Sequence, residues 1–253
     1  MNSNTLKLLG CVALSFIFAI ASHAQSVSST PVGYVTFTVN ANSDLKLGIP
    51  MEQASSFSGS VSSVTSGTID AGSAVGDLTT NSHYVKVTSG TLSGNWYQVT
   101  AASGNTVTVA EDLAAGGLVA NDTFQVTPFW TLDSLFQNGG GVPGSADPFN
   151  PSALVLTFNP SASGINIATA SSHFYYPDGD PGSFGIAAGW YDASSYASSG
   201  ATIFNPDTFL QVRNQTSSST ELVIAGTVPS AGVSLPIVSS ASAQQDNLVY
   251  NPW

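Results

Sequence analysis

Residues 84–109 read YVKVTSGTLSGNWYQVTAASGNTVTV and decide the fold class. Apolar and polar side chains alternate in short runs, as Val85 with Val87 and Val107 with Val109 illustrate. Ser-Gly and Gly-Asn pairs, which favour tight turns, separate the runs. Alternation with a period of two is typical of β-strands that bury one face. The stretch therefore predicts consecutive antiparallel strands joined by short turns.

The same alternation continues on both sides of this stretch. Val35, Phe37 and Val39 fall on one face of an upstream run. Further strands are predicted downstream at residues 153–158, 173–176, 208–213, 221–225 and 233–238. Residues 55–82, rich in Ser, Gly and Thr, predict a long loop or weak strands, and residues 131–136 are the one short helix predicted. The pattern as a whole predicts an all-β fold.

A segment rich in Gly and Pro, residues 137–151, interrupts the strand pattern. Segments of this composition are typical of boundaries between compact units. The sequence therefore predicts two small antiparallel β-sandwich or barrel-like units, residues 25–136 and residues 152–253, joined by a Gly/Pro linker.

The N-terminus has the organisation of an export signal. Lys7 precedes an apolar run over residues 8–21, and small residues lead to Ala24, so residues 1–24 are predicted to be a signal peptide. An alternative is a lipoprotein anchored at Cys11, but such an anchor needs its hydrophobic stretch before the cysteine, and here the stretch follows it. We expect a secreted or cell-surface protein whose mature chain lacks cysteine, because the sequence contains only one.

The charge balance is strongly acidic. The chain has 15 acidic and 4 basic residues, for a formal net charge of −11. Binding to nucleic acid needs a basic stripe that neutralises phosphates, so no nucleic-acid partner is expected. No run beyond the leader approaches the roughly 18 apolar residues that a membrane helix needs, so no membrane span is expected.

One acidic loop is a candidate metal site. Asp178 and Asp180 flank a glycine in the sequence DGDPG. Two carboxylates on a loop are suitable oxygen ligands for calcium, which tolerates irregular coordination. The same residues also form ordinary turns, and the other ligands of an EF-hand loop are missing. Calcium is therefore the one cofactor considered, with an empty hairpin turn as the alternative.

Aromatic residues are concentrated in the second half of the chain. Tyr176, Trp190 and Tyr191 are candidates for a glycan-stacking platform, because exposed rings pack well against the C–H faces of sugars. The alternative is that strand alternation places about half of these rings in the core. The hypothesis depends on which rings face solvent.

No residue is assigned a catalytic role. Only His83 and His173 follow the leader, and neither belongs to a recognisable arrangement of Ser, His and Asp, so packing is the default interpretation of both. We therefore expect no enzyme activity. A glycosidase with paired carboxylates remains an alternative, since the distances between carboxylates are not readable from a sequence.

Several stretches together resemble a known family. They include PVGYV at residues 31–35, NDTFQVTPFWTL at residues 121–132 and FYY at residues 174–176. The chain resembles a paralogue-rich family of exported proteins of unknown function from Verrucomicrobia-type bacteria. The resemblance implies export and extracellular residence, and it supplies no activity or catalytic residue.

These observations favour a secreted, non-catalytic structural or surface-interaction protein. Exposed strand edges would pair with copies of the protein or bind envelope or extracellular polysaccharide. The alternative is an extracellular carbohydrate-binding module, with calcium assisting at Asp178 and Asp180.

Overall fold

The computed structural model is nearly all β, which confirms the predicted fold class. It describes residues 31–76, 78, 82–159, 162–177, 185–229, 231–235, 237, 239, 244–247 and 249. The strands of this part are β1 Val32–Val39, β2 Ser43–Gly48, β3 Phe57–Ser60, β4 Ser63–Thr65, β5 Thr68–Asp70, β6 His83–Val87, β7 Trp96–Ser103, β8 Thr106–Val109, β9 Thr123–Pro128, β10 Trp130–Thr131, β11 Ala153–Phe158, β12 Thr169–Tyr176, β13 Gly189–Asp192, β14 Ile203–Phe204, β15 Phe209–Asn214 and β16 Thr220–Thr227. Its helices are α1 Leu113–Gly116, α2 Leu132–Leu135 and the 3-10 helix Gln137–Gly139.

One compact part of the chain is a sandwich of two antiparallel layers. Its larger sheet has the order β13-β12-β11-β15-β2, and a ribbon of β1 and β16 forms the second layer. Val39, Leu222 and Ile224 of the ribbon share a buried core with Val212 and Trp190 of the larger sheet. We call this cluster the sandwich core.

A second sheet of seven strands, in the order β3-β9-β6-β7-β8-β5-β4, curls around its own core. An irregularity between Val99 and Ala101 shifts the register of β7 against β8, and such bulges bend a sheet. The core that the sheet encloses is almost entirely aliphatic, with many valines. All of these strands lie between β2 and β10 in the sequence, so this unit is an insertion into the sandwich.

The predicted domain boundaries do not match this arrangement. β1 and β2 lie in the predicted N-terminal unit of residues 25–136, yet they pair with β16 and β15. The contacts of residues 32–253 accordingly form one compact unit. The discrepancy has a physical reason: alternation indicates that a strand buries one face, but it does not indicate which distant strand is its partner.

The predicted linker at residues 137–151 is a packed corner of the sandwich instead. Val142 belongs to the sandwich core, and Ser145 is fully buried. Asn138 and the three glycines after it all have positive φ, which glycine adopts without steric cost. Gly141 packs so closely on the backbone of Glu221 that a Cβ would collide with it. The glycines therefore provide a tight turn and a close approach.

The predicted helix at residues 131–136 is confirmed as α2. Thr131 is its N-cap, and the backbone N–H of Ser134 donates to Thr131 Oγ1 at 3.2 Å. In return, the Thr131 N–H donates to Ser134 Oγ at 2.8 Å, which completes a capping box. Residues 55–82, predicted as a loop or weak strands, contain the short strands β3, β4 and β5.

The strand predicted at residues 233–238 is wrong for the residues that the structure describes there. Residues 233–235 and 237 have no strand geometry. Ser234 instead donates its backbone N–H to the Gly94 carbonyl at 2.8 Å. This segment therefore runs along the turn between β6 and β7 and joins the insertion to the sandwich.

Polar contacts fix the insertion where its chain enters and leaves the sandwich. Lys86 Nζ donates to Glu52 Oε1 at 2.6 Å and to the Ala231 carbonyl at 2.7 Å. Close by, Trp130 Nε1 donates to the Met51 carbonyl at 2.8 Å. Lys86 lies on β6 of the insertion, whereas Glu52 bridges to β16 of the sandwich, so the ion pair links the two sheets.

Candidate functional site

The ribbon of β1 and β16 is the candidate functional site. The two strands pair antiparallel over their whole length, from Val32 opposite Thr227 to Val39 opposite Thr220. Val35 and Phe37 point inward and pack on the sandwich core, as the alternation of β1 predicts. Because the inner face is anchored in this way, the outer face is held in a fixed position at the surface.

The outer face of the ribbon exposes large apolar side chains. Val32 is 79% exposed and Tyr34 is 72% exposed, and Val223 of β16 is also exposed. Threonines 36 and 38 occupy the remaining outward positions of β1. Exposed apolar groups that cluster on a regular element are typical of interaction surfaces.

The direction of the backbone groups of β1 follows from its pairing. Thr227 exchanges two backbone hydrogen bonds with Glu52, at 2.8 and 2.9 Å, so its polar groups point away from β1. Bonded and non-bonded pairs alternate in an antiparallel ladder, so the backbone of Val32, opposite Thr227, points away from β16. Since the register has no shift, the same orientation recurs at every second residue: Tyr34, Thr36 and Thr38.

This edge of β1 is open in the part of the chain that the structure describes. There, β16 is the only strand that pairs with β1, and the outward N–H and C=O groups of residues 34, 36 and 38 have no hydrogen-bond partner. The opposite edge, on β16, is covered at both ends. Glu52 bonds Thr227, and Gly141 packs against the Glu221 backbone.

The open edge lacks the features that usually block strand addition. Natural edge strands carry Lys, Pro, bulges or inward charges that discourage pairing with another chain. The sequence of β1, VGYVTFTV, contains no charged residue and no proline, and its register is regular. Glu221 is the only charged residue of the ribbon. The ribbon is therefore electrically almost neutral in a protein of net charge −11.

The two candidate calcium ligands, Asp178 and Asp180, lie outside the described residues, so calcium binding there stays a prediction. Within the described ranges, no group of three or more His, Cys, Asp or Glu side chains is placed to hold a metal ion.

The three candidate glycan-stacking rings are in the interior, which corrects the proposed platform. Trp190 is 1% exposed and lies in the sandwich core, and its ring centroid is 5.4 Å from that of Tyr175. Tyr176 and Tyr191 are buried together on the opposite face of the same sheet. A buried ring has no free face for a sugar, so these residues stabilise the fold.

Aromatic residues other than the three candidates are at the surface. Tyr34, Phe149 and Tyr196 are all exposed, and the last two form an edge-to-face pair with centroids 5.4 Å apart. The one feature of the sequence that indicates their exposure is that each lies next to a turn-forming residue or near the end of a strand. That signal is weak, because buried aromatics occur in the same contexts.

Both histidines of the described residues lie on strands. His83 begins β6 and contacts two serines, with Nδ1 2.8 Å from Ser82 Oγ. His173 is buried on β12, and its Nε2 lies 2.9 Å from Ser171 Oγ. The Nδ1 atom of His173 is buried without a hydrogen-bond partner in the described structure. A proton added at that atom would have no acceptor.

We expect His173 to make the fold sensitive to acid. Burial lowers the pKa of His173 below its ordinary value of 6.5, although the negative charge of Asp192 opposes this shift. When the pH falls below 6.5, the unfolded chain gains a proton that the folded chain excludes, so the free energy of unfolding decreases. Urea titrations at about pH 7 and about pH 5 measure this effect. As the pH falls, the free energy of unfolding is expected to decrease less in His173→Gln than in the wild type. Equal losses in the two proteins would contradict this assignment.

No helix in the described ranges has the length and apolar character needed to cross a membrane.

Comparisons with protein-family profiles, with curated protein sequences and with solved structures find no match to this chain. The resemblance to exported Verrucomicrobia-type proteins therefore stays a prediction.

Proposed function

We propose that this protein is an exported, non-catalytic structural or surface-interaction protein that assembles with copies of itself through the edge of β1. The observation that carries the proposal is the open, uncharged edge at residues 34–38. The leader-like sequence of residues 1–24 supports export. N-terminal sequencing of protein recovered outside the cell tests the proposed export. A first residue other than Gln25 would contradict cleavage after Ala24.

A symmetric pairing of two copies fits the alternation of β1. In an antiparallel, two-fold arrangement, Thr36 would lie opposite its own symmetry mate and Tyr34 opposite Thr38 of the other copy. All three outward N–H groups would then gain acceptors. The two ribbons would become one four-stranded layer in the order β16-β1-β1-β16, with the exposed Tyr34 side chains on one continuous face.

Charge explains why this edge is favoured over the rest of the surface. The molecule carries a net charge of −11, so two copies repel each other at most orientations. β1 has no charge of its own, and Glu221 is opposite Thr38 at the far end of the ribbon. Contact through β1 therefore keeps most acidic groups away from the interface.

The test is to block the edge without disturbing the ribbon. Thr36→Pro removes one N–H that faces the open edge and is not bonded to β16, and proline is tolerated at such edge positions. We expect wild-type protein to sediment as a dimer at concentrations where Thr36→Pro sediments as a monomer. Circular dichroism checks that the variant keeps its β-structure.

Thr36→Val is the matched control at the same position. It keeps the N–H and the branched side chain, so self-association through backbone hydrogen bonds is expected to persist. A wild-type protein that is monomeric over the whole concentration range would overturn the proposal. So would a folded Thr36→Pro variant that associates as strongly as the wild type.

The alternative function, a carbohydrate-binding module, loses its first set of residues because Trp190, Tyr191 and Tyr176 are buried. A glycan site in this protein would have to use other side chains.

A further inference from the structure

A cleft of about 470 Å³ lies where the insertion meets the sandwich. Trp96 and Gln98 of β7 line it on the insertion side, and Asp207, just before β15, lines it on the sandwich side. Leu235 of the segment after β16 contributes to the rim. Its volume is within the range of roughly 300–1,000 Å³ that is usual for small-molecule sites.

Asp207 is the unusual group in this cleft. It is 8% exposed, and its Oδ1 atom is buried with no hydrogen-bond partner in the described structure. The carboxylate does have donors elsewhere, namely the indole of Trp96 and its own backbone N–H. A buried carboxylate oxygen without a donor is unfavourable, so a hydrogen-bond donor that reached it from the cleft would be stabilising.

We infer that this cleft binds a neutral saccharide, which is an uncharged and hydroxyl-rich molecule. One hydroxyl of the ligand donates to the Asp207 carboxylate, and the C–H groups of the sugar contact Trp96.

The other residues that line the cleft also favour a neutral saccharide. Asn95 and Gln98 carry amides, which donate to and accept from hydroxyl groups. Trp96 is only half-buried, and its indole is oriented by edge-to-face contacts with Tyr84 and Phe129, at centroid distances of 6.2 and 5.8 Å. An aromatic ring held in place beside a carboxylate and amides is a suitable surface for a pyranose.

Charge excludes anionic ligands from the same cleft. Among the described residues, its lining contains Glu111 and Asp207 and no Lys, Arg or His. Burial raises the pKa of Asp207, although the Trp96 indole and the backbone N–H oppose this shift by stabilising the carboxylate. A second negative charge placed beside Asp207 would be repelled, so uronic acids and phosphorylated sugars are poor candidates.

The binding test uses the full chain and defined probes. Cello-, xylo- and manno-oligosaccharides are titrated by calorimetry and by tryptophan fluorescence, with oligogalacturonate as the anionic counter-probe. We expect at least one neutral probe to bind and the anionic probe not to bind. Asp207→Asn is expected to weaken that binding by about tenfold or more, because the amide changes the acceptor that the hydroxyl needs.

Asp70→Asn is the matched control outside the cleft. Asp70 Oδ1 accepts a hydrogen bond from the Gly72 N–H at 2.7 Å, and asparagine keeps that acceptor. We expect it to bind the probe within about twofold of the wild type. If Asp207→Asn does not fold, Gln98→Ala on the exposed part of β7 replaces it, with a loss of affinity also expected.

Two outcomes would overturn the inference. The first is that no neutral probe binds, in which case Asp207 and Trp96 are only a contact between the two sheets. The second is that a probe binds but neither Asp207→Asn nor Gln98→Ala weakens it. The site does not depend on self-association, so the monomeric Thr36→Pro variant is expected to bind the same probe with wild-type affinity.

Discussion

Replacing Lys86 by alanine is expected to lower the free energy of unfolding by about 3–5 kcal/mol, which is the usual effect of removing one partner of a buried ion pair. The Lys86 side chain is 1% exposed and donates to Glu52 and to the Ala231 carbonyl. Without the ammonium group, the Glu52 carboxylate would stay buried with no opposite charge nearby. Urea titration followed by circular dichroism measures the loss.

The other ion pair found among the described residues is the natural control. Arg213 Nε donates to Asp44 Oδ1 at 2.9 Å, but both side chains are substantially exposed to solvent. Arg213→Ala is therefore expected to cost only about 0.2–1 kcal/mol. Losses of similar size for Lys86→Ala and Arg213→Ala would contradict the claim that the first pair is buried.

A double variant separates the charge from the shape of the side chains. Lys86→Met combined with Glu52→Leu removes both charges and keeps apolar volume, so it is expected to recover most of the stability lost in Lys86→Ala. If the double variant is as unstable as the single one, the contact with the Ala231 carbonyl, and not the unpaired carboxylate, is the main contribution of Lys86.

Local strand patterns were predictable because they depend on neighbouring residues. β11 has the bounds of the run predicted at residues 153–158, and β1 contains the alternating residues Val35, Phe37 and Val39. The turns at Gly90, Gly94 and Gly104 also agree, and each of these glycines has positive φ. Local signals of this kind are sufficient to establish an all-β fold.

The arrangement of the strands was not predictable in the same way. β2 pairs with β15 across more than half of the chain, and no feature of either strand identifies the other. The glycines at residues 139–141 predict a linker, because glycine is common in flexible segments. In the structure, they are required by positive φ and by close packing on Glu221. Composition alone does not distinguish these two uses of glycine.

The candidate sites illustrate the same limit. Neighbouring residues on a strand point to opposite faces, so alternation places about half of the aromatic rings in the core, and Trp190 and Tyr191 are neighbours. The structure buries both, because β13 has the sandwich core on one side and a smaller aromatic cluster with Phe174 on the other. The open edge of β1 and the Asp207 cleft depend on long-range packing, which an individual sequence does not reveal.

Replacing Trp190 by alanine is expected to be as damaging as the loss of Lys86, by about 3–5 kcal/mol in free energy of unfolding. The indole fills the space between Phe136 and Tyr175, with ring centroids 5.9 and 5.4 Å away, and its N–H donates to the Phe136 carbonyl at 3.4 Å. Alanine would leave a large cavity in the sandwich core, whereas the Phe136 carbonyl would keep the hydrogen bond that it accepts from the Gly139 N–H at 3.0 Å.

The control is an aromatic residue of the exposed ribbon face. Tyr34→Ala removes a ring that is largely in solvent, so a change within about 0.5 kcal/mol is expected in the same urea titration. A small effect of Trp190→Ala, together with weakened binding of a neutral oligosaccharide, would mean that the ring is accessible and that the original platform hypothesis holds. A large loss of stability, with probe affinity unchanged under conditions where the variant is folded, would establish that Trp190 serves the core and that recognition belongs to the cleft at Trp96.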